Sequence, residues 1–76
     1  MPLTLAQLAV GQQAVIESLP TGRAGLTRLR ELGLTPGALV RLVRRAPLGE
    51  PIEITVRGSH LAMRNHEAAD IAVSLA

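Results

Sequence analysis

The sequence predicts one small domain that is mainly β with one short helix, arranged as a partly open β-barrel of five short strands. Three observations lead to this prediction: a length of 76 residues, short runs of alternating apolar and polar residues, and Gly and Pro between those runs. A chain of this length forms one core and buries only about 60 to 65% of the surface that its unfolded form exposes. We therefore expect residues 1–76 to form a single domain.

The N-terminal quarter of the chain contains one predicted helical turn and one predicted strand. Thr4 is a suitable N-cap for a turn that runs to Leu8. Residues 13–19 (QAVIESL) form the first strand. The alternation in this strand is imperfect, and both possible inward faces stay open: Ala14 with Ile16, and Val15 with Leu19.

The apolar spacing changes in residues 24–32, which predicts a short amphipathic helix after a turn at residues 20–22 (PTG). Three leucines recur at a spacing of three: Leu26, Leu29 and Leu32. Gly33 suits the left-handed conformation that follows a C-cap, and Leu34 stands where a Schellman motif places its apolar contact. Residues 35–38 (TPGA) then predict a type II turn, with proline second and glycine third.

Two strands with clear alternation follow, residues 38–45 and 52–57, and we expect them to pair as a hairpin. On the first of them, the pattern puts Arg41 and Arg45 together on the outward face. The connecting residues 46–51 (APLGEP) have a proline on each side of a glycine. This pattern predicts a stiff loop with Leu48 exposed at its tip.

The C-terminal part is predicted to add a turn at residues 58–59, a fourth strand at 61–64, and one helical turn over residues 66–69 with Asn65 as its N-cap. A fifth strand then ends the chain. Its predicted inward residues are Ile71, Val73 and Leu75.

The composition excludes several classes of function. Cysteine is absent, which excludes disulfides, thiolate metal sites and thiol nucleophiles. Aromatic residues are also absent, so the chain lacks platforms for stacking bases and for binding proline-rich peptides. No apolar run approaches the ~20 residues of a membrane-spanning helix, and no signal peptide is evident, so we expect a cytoplasmic protein.

Candidate catalytic and metal-binding patterns are weak. Residues 66–70 (HEAAD) resemble the zincin motif HExxH in all but the last position, but one helical turn is too short a scaffold for a zincin site. His60 and His66 with nearby carboxylates could bind a divalent ion, although such residues on a turn and a strand edge are more often solvated. We therefore predict no catalytic residue, no cofactor and no metal ligand.

Two features suggest a binding surface. Five arginines lie on strands expected to be neighbours: Arg41, Arg44, Arg45, Arg57 and Arg64. They form either a solvated face partly neutralised by Glu53 or a docking surface for an acidic partner or for phosphates. Leu48 either packs back on the barrel or fills a partner pocket. The candidate partner-binding residues are Pro47, Leu48, Gly49, Glu50, Arg41, Arg45 and Arg64.

The order of several motifs resembles the FeoA family of bacterial ferrous iron transport. The motifs are residues 28–37 (RLRELGLTPG), 46–52 (APLGEPI), 61–64 (LAMR), 67–68 (EA) and 71–73 (IAV). The resemblance runs from about residue 3 to residue 73. It implies an SH3-like barrel and a non-enzymatic, cytosolic accessory protein whose partner is the ferrous iron permease FeoB, contacted through its cytosolic G-domain.

The same barrel also resembles the C-terminal domain of iron-dependent repressors of the DtxR type. This leaves one alternative, an SH3-like metallo-regulatory or nucleic-acid-binding domain. Those repressors carry a winged helix before the barrel, whereas this chain begins with Met1 at the barrel, so we expect a stand-alone accessory protein with no nucleic-acid partner. The resemblance does not determine whether the protein forms a homo-oligomer. It also leaves open whether the protein stimulates nucleotide hydrolysis, gates the pore or assembles the permease.

Overall fold

The computed structural model of the chain describes residues 3–19 and 26–76. The predicted turn at residues 20–22 and the predicted helix start at residue 24 lie outside them. The elements are, in order, β1 (Leu3–Thr4), a 3-10 helix (Leu5–Gln7), β2 (Gln13–Ser18), α1 (Leu26–Glu31), β3 (Leu39–Arg45), β4 (Ile52–Val56), β5 (Ser59–Met63), α2 (Asn65–Ala68) and β6 (Ala72–Leu75).

The described strands form one antiparallel sheet of six strands in the order β1-β6-β2-β3-β4-β5. The sheet does not close, because β1 and β5 are its two edges. The predicted class, a mainly β and partly open barrel, is confirmed. The extra strand is β1, where Leu3 pairs with Val73 and Thr4 with Ala72. The described part of the chain also contains two short helices, not one.

The core lies on the inward face of the sheet. In β2 the inward residues are Ala14 and Ile16, which decides between the two faces that the alternation had left open. The 3-10 helix and the residues around α2 cover the core from outside the sheet. The buried apolar residues are Leu5, Leu8, Ala14, Ile16, Leu34, Ala38, Val40, Leu42, Ile52, Ile54, Val56, Leu61, Met63, Ala68, Ile71 and Val73. Leu75 lies opposite Ala14, so the prediction that it shares the inward face is confirmed, but at the end of its strand the side chain is 55% exposed and lies outside the core.

The end of α1 is the Schellman motif that the sequence predicts. The Leu34 N–H donates to the Leu29 carbonyl at 3.0 Å, and the Gly33 N–H donates to the Arg30 carbonyl at 3.0 Å. Gly33 has a φ of 101°, which glycine adopts far more easily than other residues. Leu34 is fully buried, so the apolar contact of the motif ties the helix end to the core.

Of two predicted turns, one is confirmed and the other is displaced. The type II turn at residues 35–38 is confirmed: Gly37 has a φ of 89°, and the Ala38 N–H donates to the Thr35 carbonyl at 3.0 Å. The predicted turn at residues 58–59 is displaced by one residue. Arg57 and Gly58 have φ values of 48° and 82°, the pattern of a two-residue type I′ hairpin turn. As a result β5 begins at Ser59.

An irregularity in β3 changes the face of one predicted site residue. The pairing of β3 with β4 shifts register between Leu42 and Arg44. Arg41 lies opposite Thr55 on the outward face, whereas Arg45 lies opposite Ile52, whose side chain is fully buried. Directly opposed residues of an antiparallel pair share a face. The prediction that Arg41 and Arg45 share the outward face is therefore wrong, because the bulge adds one residue between them.

The N-cap of α2 is Arg64, and the prediction of Asn65 is wrong by one residue. Arg64 is extended, with φ −83° and ψ 155°, and its backbone N–H donates to Glu67 Oε1 at 3.0 Å. This is the Glu half of a capping box. Asn65 is the first residue of the helix, and its side chain is free to make longer-range contacts. Near the start of the chain, the predicted N-cap of the first helical turn, Thr4, is confirmed.

Candidate functional site

The loop of residues 46–51 presents Leu48 to solvent. Leu48 is 96% exposed, more than any other large apolar side chain in the described part of the chain. The Gly49 N–H donates to the Ala46 carbonyl at 2.8 Å, and the Ala46 N–H donates to the Pro51 carbonyl at 3.1 Å. Pro47 takes the second position of this turn, where its fixed φ is favourable. Of the two interpretations of Leu48, packing back on the barrel is therefore excluded.

Asn65 clamps this loop from α2. Its backbone N–H donates to Glu50 Oε1 at 2.9 Å, and its Nδ2 donates to the Gly49 carbonyl at 3.1 Å. Both bonds join residues that lie 15 or 16 positions apart in the chain. Hydrogen bonds from α2 thus restrain the loop, in addition to the turn that its own proline and glycine residues form. Arg64, which is exposed, directly precedes Asn65 in the chain.

Arg45 holds the Asn65 side chain in place through a hydrogen bond. Its Nη1 donates to Asn65 Oδ1 at 3.3 Å, its Nη2 donates to the Leu8 carbonyl at 2.9 Å, and the same Nη2 also contacts the Ala6 carbonyl. These contacts join β3, the segment around the 3-10 helix and α2. The expected role of Arg45 in an exposed basic surface does not fit this geometry, because its guanidinium is half-buried and bonded within the domain.

Arg41 lies at the opposite end of β3. Arg41 and Arg45 are four positions apart in the strand, or about 13 Å. Arg41 borders two open clefts on the outer face, with volumes of about 340 Å³ and 210 Å³, and Gln13 also lines both. Among the described residues, no carboxylate pairs with the Arg41 guanidinium. The structure therefore does not bring Arg41 together with the Leu48 loop, and the proposed basic surface is divided.

Between these two ends, Glu53 neutralises part of the outer face. Its Oε2 pairs with Arg44 Nε at 3.1 Å, and its Oε1 lies 3.0 Å from His60 Nε2. For these residues the interpretation as a solvated, partly neutralised face is correct. The part of the chain that the structure describes contains no group of three or more His, Cys, Asp or Glu residues placed to hold a metal ion.

The residues of the loop could be predicted from the sequence, whereas the contact that Asn65 makes with the loop could not. Pro47, Leu48 and Gly49 were found because proline and glycine signal a loop within a few residues. Asn65 was missed as a loop contact, because its partners are far away in the chain. Its position two residues after the end of β5 and three residues after the apolar Ala62 carries no local signal of this role.

The fold and this loop define the class of protein: an SH3-like β domain that presents one braced, apolar loop. A family model described as "FeoA domain" matches residues 3–75. The chain belongs to the FeoA family, which functions in ferrous iron transport. The resemblance carried by the motifs of the sequence is thereby confirmed over nearly the same residues.

Relatives of known structure have the same fold. The FeoA protein of Chlorobium tepidum is 40% identical, with a TM-score of 0.90, over 96% of this chain and 70% of that one. The zinc-complexed FeoA of Stenotrophomonas maltophilia, described as a prokaryotic SH3 domain protein, is 37% identical, with a TM-score of 0.80, over 95% of this chain and 89% of that one. A manganese-dependent transcriptional repressor, at 14% identity and a TM-score of 0.84 over 99% of this chain and 37% of that one, shows the fold alone.

One relative joins this domain to a transporter. The Fe(2+) transport protein A/Fe(2+) transporter FeoB fusion protein of Porphyromonas gingivalis is 30% identical over 73 residues, which are 96% of this chain. The chain spans only 9% of the length of that relative. In the described residues of this chain, no helix is both long enough and apolar enough to cross a membrane.

Proposed function

We propose that this protein is a cytoplasmic accessory partner of the ferrous iron permease FeoB, and that it acts by binding the permease and not by catalysis. The Leu48 loop, residues 46–51, is the proposed contact. The observation that carries this proposal is a leucine 96% exposed on a loop that the rest of the domain holds in place. Full exposure of a large apolar side chain on a braced loop gives no benefit to the core and favours a partner pocket.

The relative from Porphyromonas gingivalis supports the choice of partner. In that protein a FeoA sequence and a FeoB sequence are parts of one chain, according to its name. Covalent linkage holds two domains at an effective concentration in the millimolar range, which preserves even a weak association. When the two are separate chains, the same association must come from the interface itself.

The chemistry of the loop fits a small interface with one anchor. A buried apolar side chain at the centre of an interface contributes about 2 kcal/mol or more, whereas charged residues at the rim contribute less. Glu50 within the loop and the exposed Arg64, which precedes Asn65 in the chain, supply charged groups of both signs for the rim. We place the docking partner on the cytosolic G-domain side of FeoB, the part of the permease that a cytoplasmic domain can reach.

The test is binding of the separate chain to its cognate FeoB in detergent or nanodiscs, and to the isolated G-domain. We expect Leu48→Asp to weaken binding at least thirtyfold while leaving the fold intact. Leu39→Asp makes the same change in a half-exposed leucine at the opposite end of the hairpin. It should weaken binding no more than about threefold, through charge alone.

The results that contradict this proposal are equally specific. Absence of wild-type binding to cognate FeoB overturns the proposed partner. Binding that survives Leu48→Asp with the same affinity removes the loop from the interface. Binding to duplex or single-stranded nucleic acid that falls steeply with salt, and is insensitive to Leu48→Asp, would favour the repressor-like alternative.

A further inference from the structure

We propose that Asn65 and Arg45 are positioning residues for partner binding: they hold the Leu48 loop in one conformation before the partner arrives. This inference rests on the proposed function, because it concerns the loop assigned there to the interface. Neither residue needs to touch the partner. Their effect on affinity comes from the loop that they restrain.

The first step concerns the orientation of the Asn65 side chain. An amide group has one acceptor end and one donor end, and rotation by 180° exchanges them. The guanidinium of Arg45 can only donate, and the carbonyl of Gly49 can only accept. The Asn65 amide therefore has a single satisfactory orientation, with Oδ1 toward Arg45 Nη1 at 3.3 Å and Nδ2 toward the Gly49 oxygen at 3.1 Å.

The second step concerns what fixes Arg45. Its Nη2 donates to the carbonyl of Leu8, a buried residue, and also contacts the carbonyl of Ala6. These carbonyls flank the end of the 3-10 helix, whose Leu5 is fully buried in the core. The position of the guanidinium is thus set by the core, and through Asn65 the core sets the position of the loop.

The third step concerns the loop itself. Two of its residues, Gly49 and Glu50, are bonded to Asn65, and Leu48 precedes them directly. Ordering a free loop during association costs conformational entropy for each side chain immobilised, and a loop already ordered avoids that cost. A network that orders the loop in advance therefore raises affinity without adding a contact to the partner.

The substitution Asn65→Asp tests this with little change in shape. The aspartate keeps an oxygen for Arg45 but replaces the donor toward Gly49 with a second oxygen, which faces the carbonyl unfavourably. We expect about three- to tenfold weaker binding to cognate FeoB, the equivalent of one net hydrogen bond. The backbone amides of residues 47–49 in the free protein should lose order, from an NMR order parameter of about 0.85 to below about 0.6.

The matched control is Glu67→Ala. It removes the carboxylate that accepts the Arg64 N–H, so it weakens the same helix α2 without touching the loop. Its thermal stability should fall about as much as that of Asn65→Asp, while the loop amides and the affinity for FeoB stay as in the wild type. Asn65→Ala, which removes both side-chain bonds, serves as a second variant in case the aspartate disturbs folding.

A double-mutant cycle distinguishes positioning from general destabilisation. In a Leu48→Ala background, Asn65→Asp should have almost no further effect on affinity, because the anchor that the network positions has been removed. An equal loss of affinity in both backgrounds overturns the inference. So does a loop that becomes mobile in Asn65→Asp while the affinity for FeoB is unchanged. Absence of wild-type binding is a different result, since it overturns the proposed function and removes the basis of the positioning role with it.

Discussion

The two ends of the β3–β4 hairpin contain the same types of side chain and use them differently. At the loop end, Arg45 is half-buried and donates to three acceptors within the domain, while Leu48 is fully presented to solvent. At the other end, Arg41 is exposed beside two open clefts and has no carboxylate partner among the described residues. The bulge between Leu42 and Arg44 separates the two arginines onto different faces.

This difference shows two roles for an arginine on this sheet. It can hold backbone segments together through hydrogen bonds, or it can contribute a positive charge to the surface. A guanidinium bonded to backbone carbonyls contributes to stability and to loop geometry, which are short-range effects. An unpaired guanidinium contributes an electric field, which acts over about a Debye length and influences the rate of encounter more than the lifetime of a complex. We therefore expect substitutions at the two ends to change different measured quantities.

The largest difference should appear in stability when both arginines are changed to methionine. Arg45→Met leaves the carbonyls of Ala6 and Leu8 without their charged donor, and hydrogen bonds of this type contribute about 1.5 to 3 kcal/mol each. We expect the free energy of unfolding in urea to fall by about 3 kcal/mol. Arg41→Met, on the exposed face, should change it by less than about 0.5 kcal/mol. Equal effects would show that the two ends do not differ as described.

A smaller effect is expected from two glycines that lie toward the Arg41 end. A Cβ on Gly33 would lie 2.9 Å from Cδ and 3.3 Å from Cβ of Arg57, whereas a Cβ on Gly37 would have no neighbour within 4 Å. Both glycines have positive φ, so any β-branched residue is strained at either position. We expect Gly33→Val to lower the free energy of unfolding by about 2 kcal/mol and Gly37→Val by about 1 kcal/mol.

The contact with Arg57 can be separated from the strain at Gly33. In an Arg57→Ala background, most of the excess cost of Gly33→Val over Gly37→Val should disappear, because Cδ of Arg57, the atom nearest to the new Cβ at 2.9 Å, is removed while Cβ at 3.3 Å remains. If Gly33→Val is as stable as the wild type, α1 does not end in the Schellman motif.

The smallest effect should be the change of Arg41 to glutamate. If Arg41 assists only by attraction, Arg41→Glu lowers the association rate with FeoB about threefold at low salt, and the difference vanishes near 0.5 M salt. The dissociation rate and the thermal midpoint should stay unchanged. An effect on the dissociation rate would place Arg41 inside the interface and contradict the division between the two ends.

Several local features were predicted correctly because the residues that determine them are close together in the chain. The Schellman end at Gly33, the type II turn at Gly37 and the exposed tip at Leu48 each depend on a few neighbouring residues. The alternation in residues 52–57 likewise predicted which side chains of β4 are buried. In all of these, backbone sterics and side-chain periodicity act over fewer than eight residues.

Predictions that depended on register or on an uncommon backbone conformation were less successful. The face of Arg45 was wrong because a single bulge shifts every later residue to the other face, and nothing in RLVRR marks where the extra residue lies. The turn at residues 58–59 was displaced by one position, because an arginine with positive φ is uncommon and its Arg-Gly pair is a weak turn signal.

The sequence by itself determined the fold class, the family and the existence of an apolar loop, since these follow from periodicity, turn residues and the order of motifs along the chain. Only the tertiary structure decided that β1 pairs with β6 across the domain, that Arg45 is a brace, and that Asn65 clamps the loop. The physical reason is that these contacts join residues 15 or more positions apart. Their geometry depends on which strands become neighbours and in what register, and the packing of the whole core sets both.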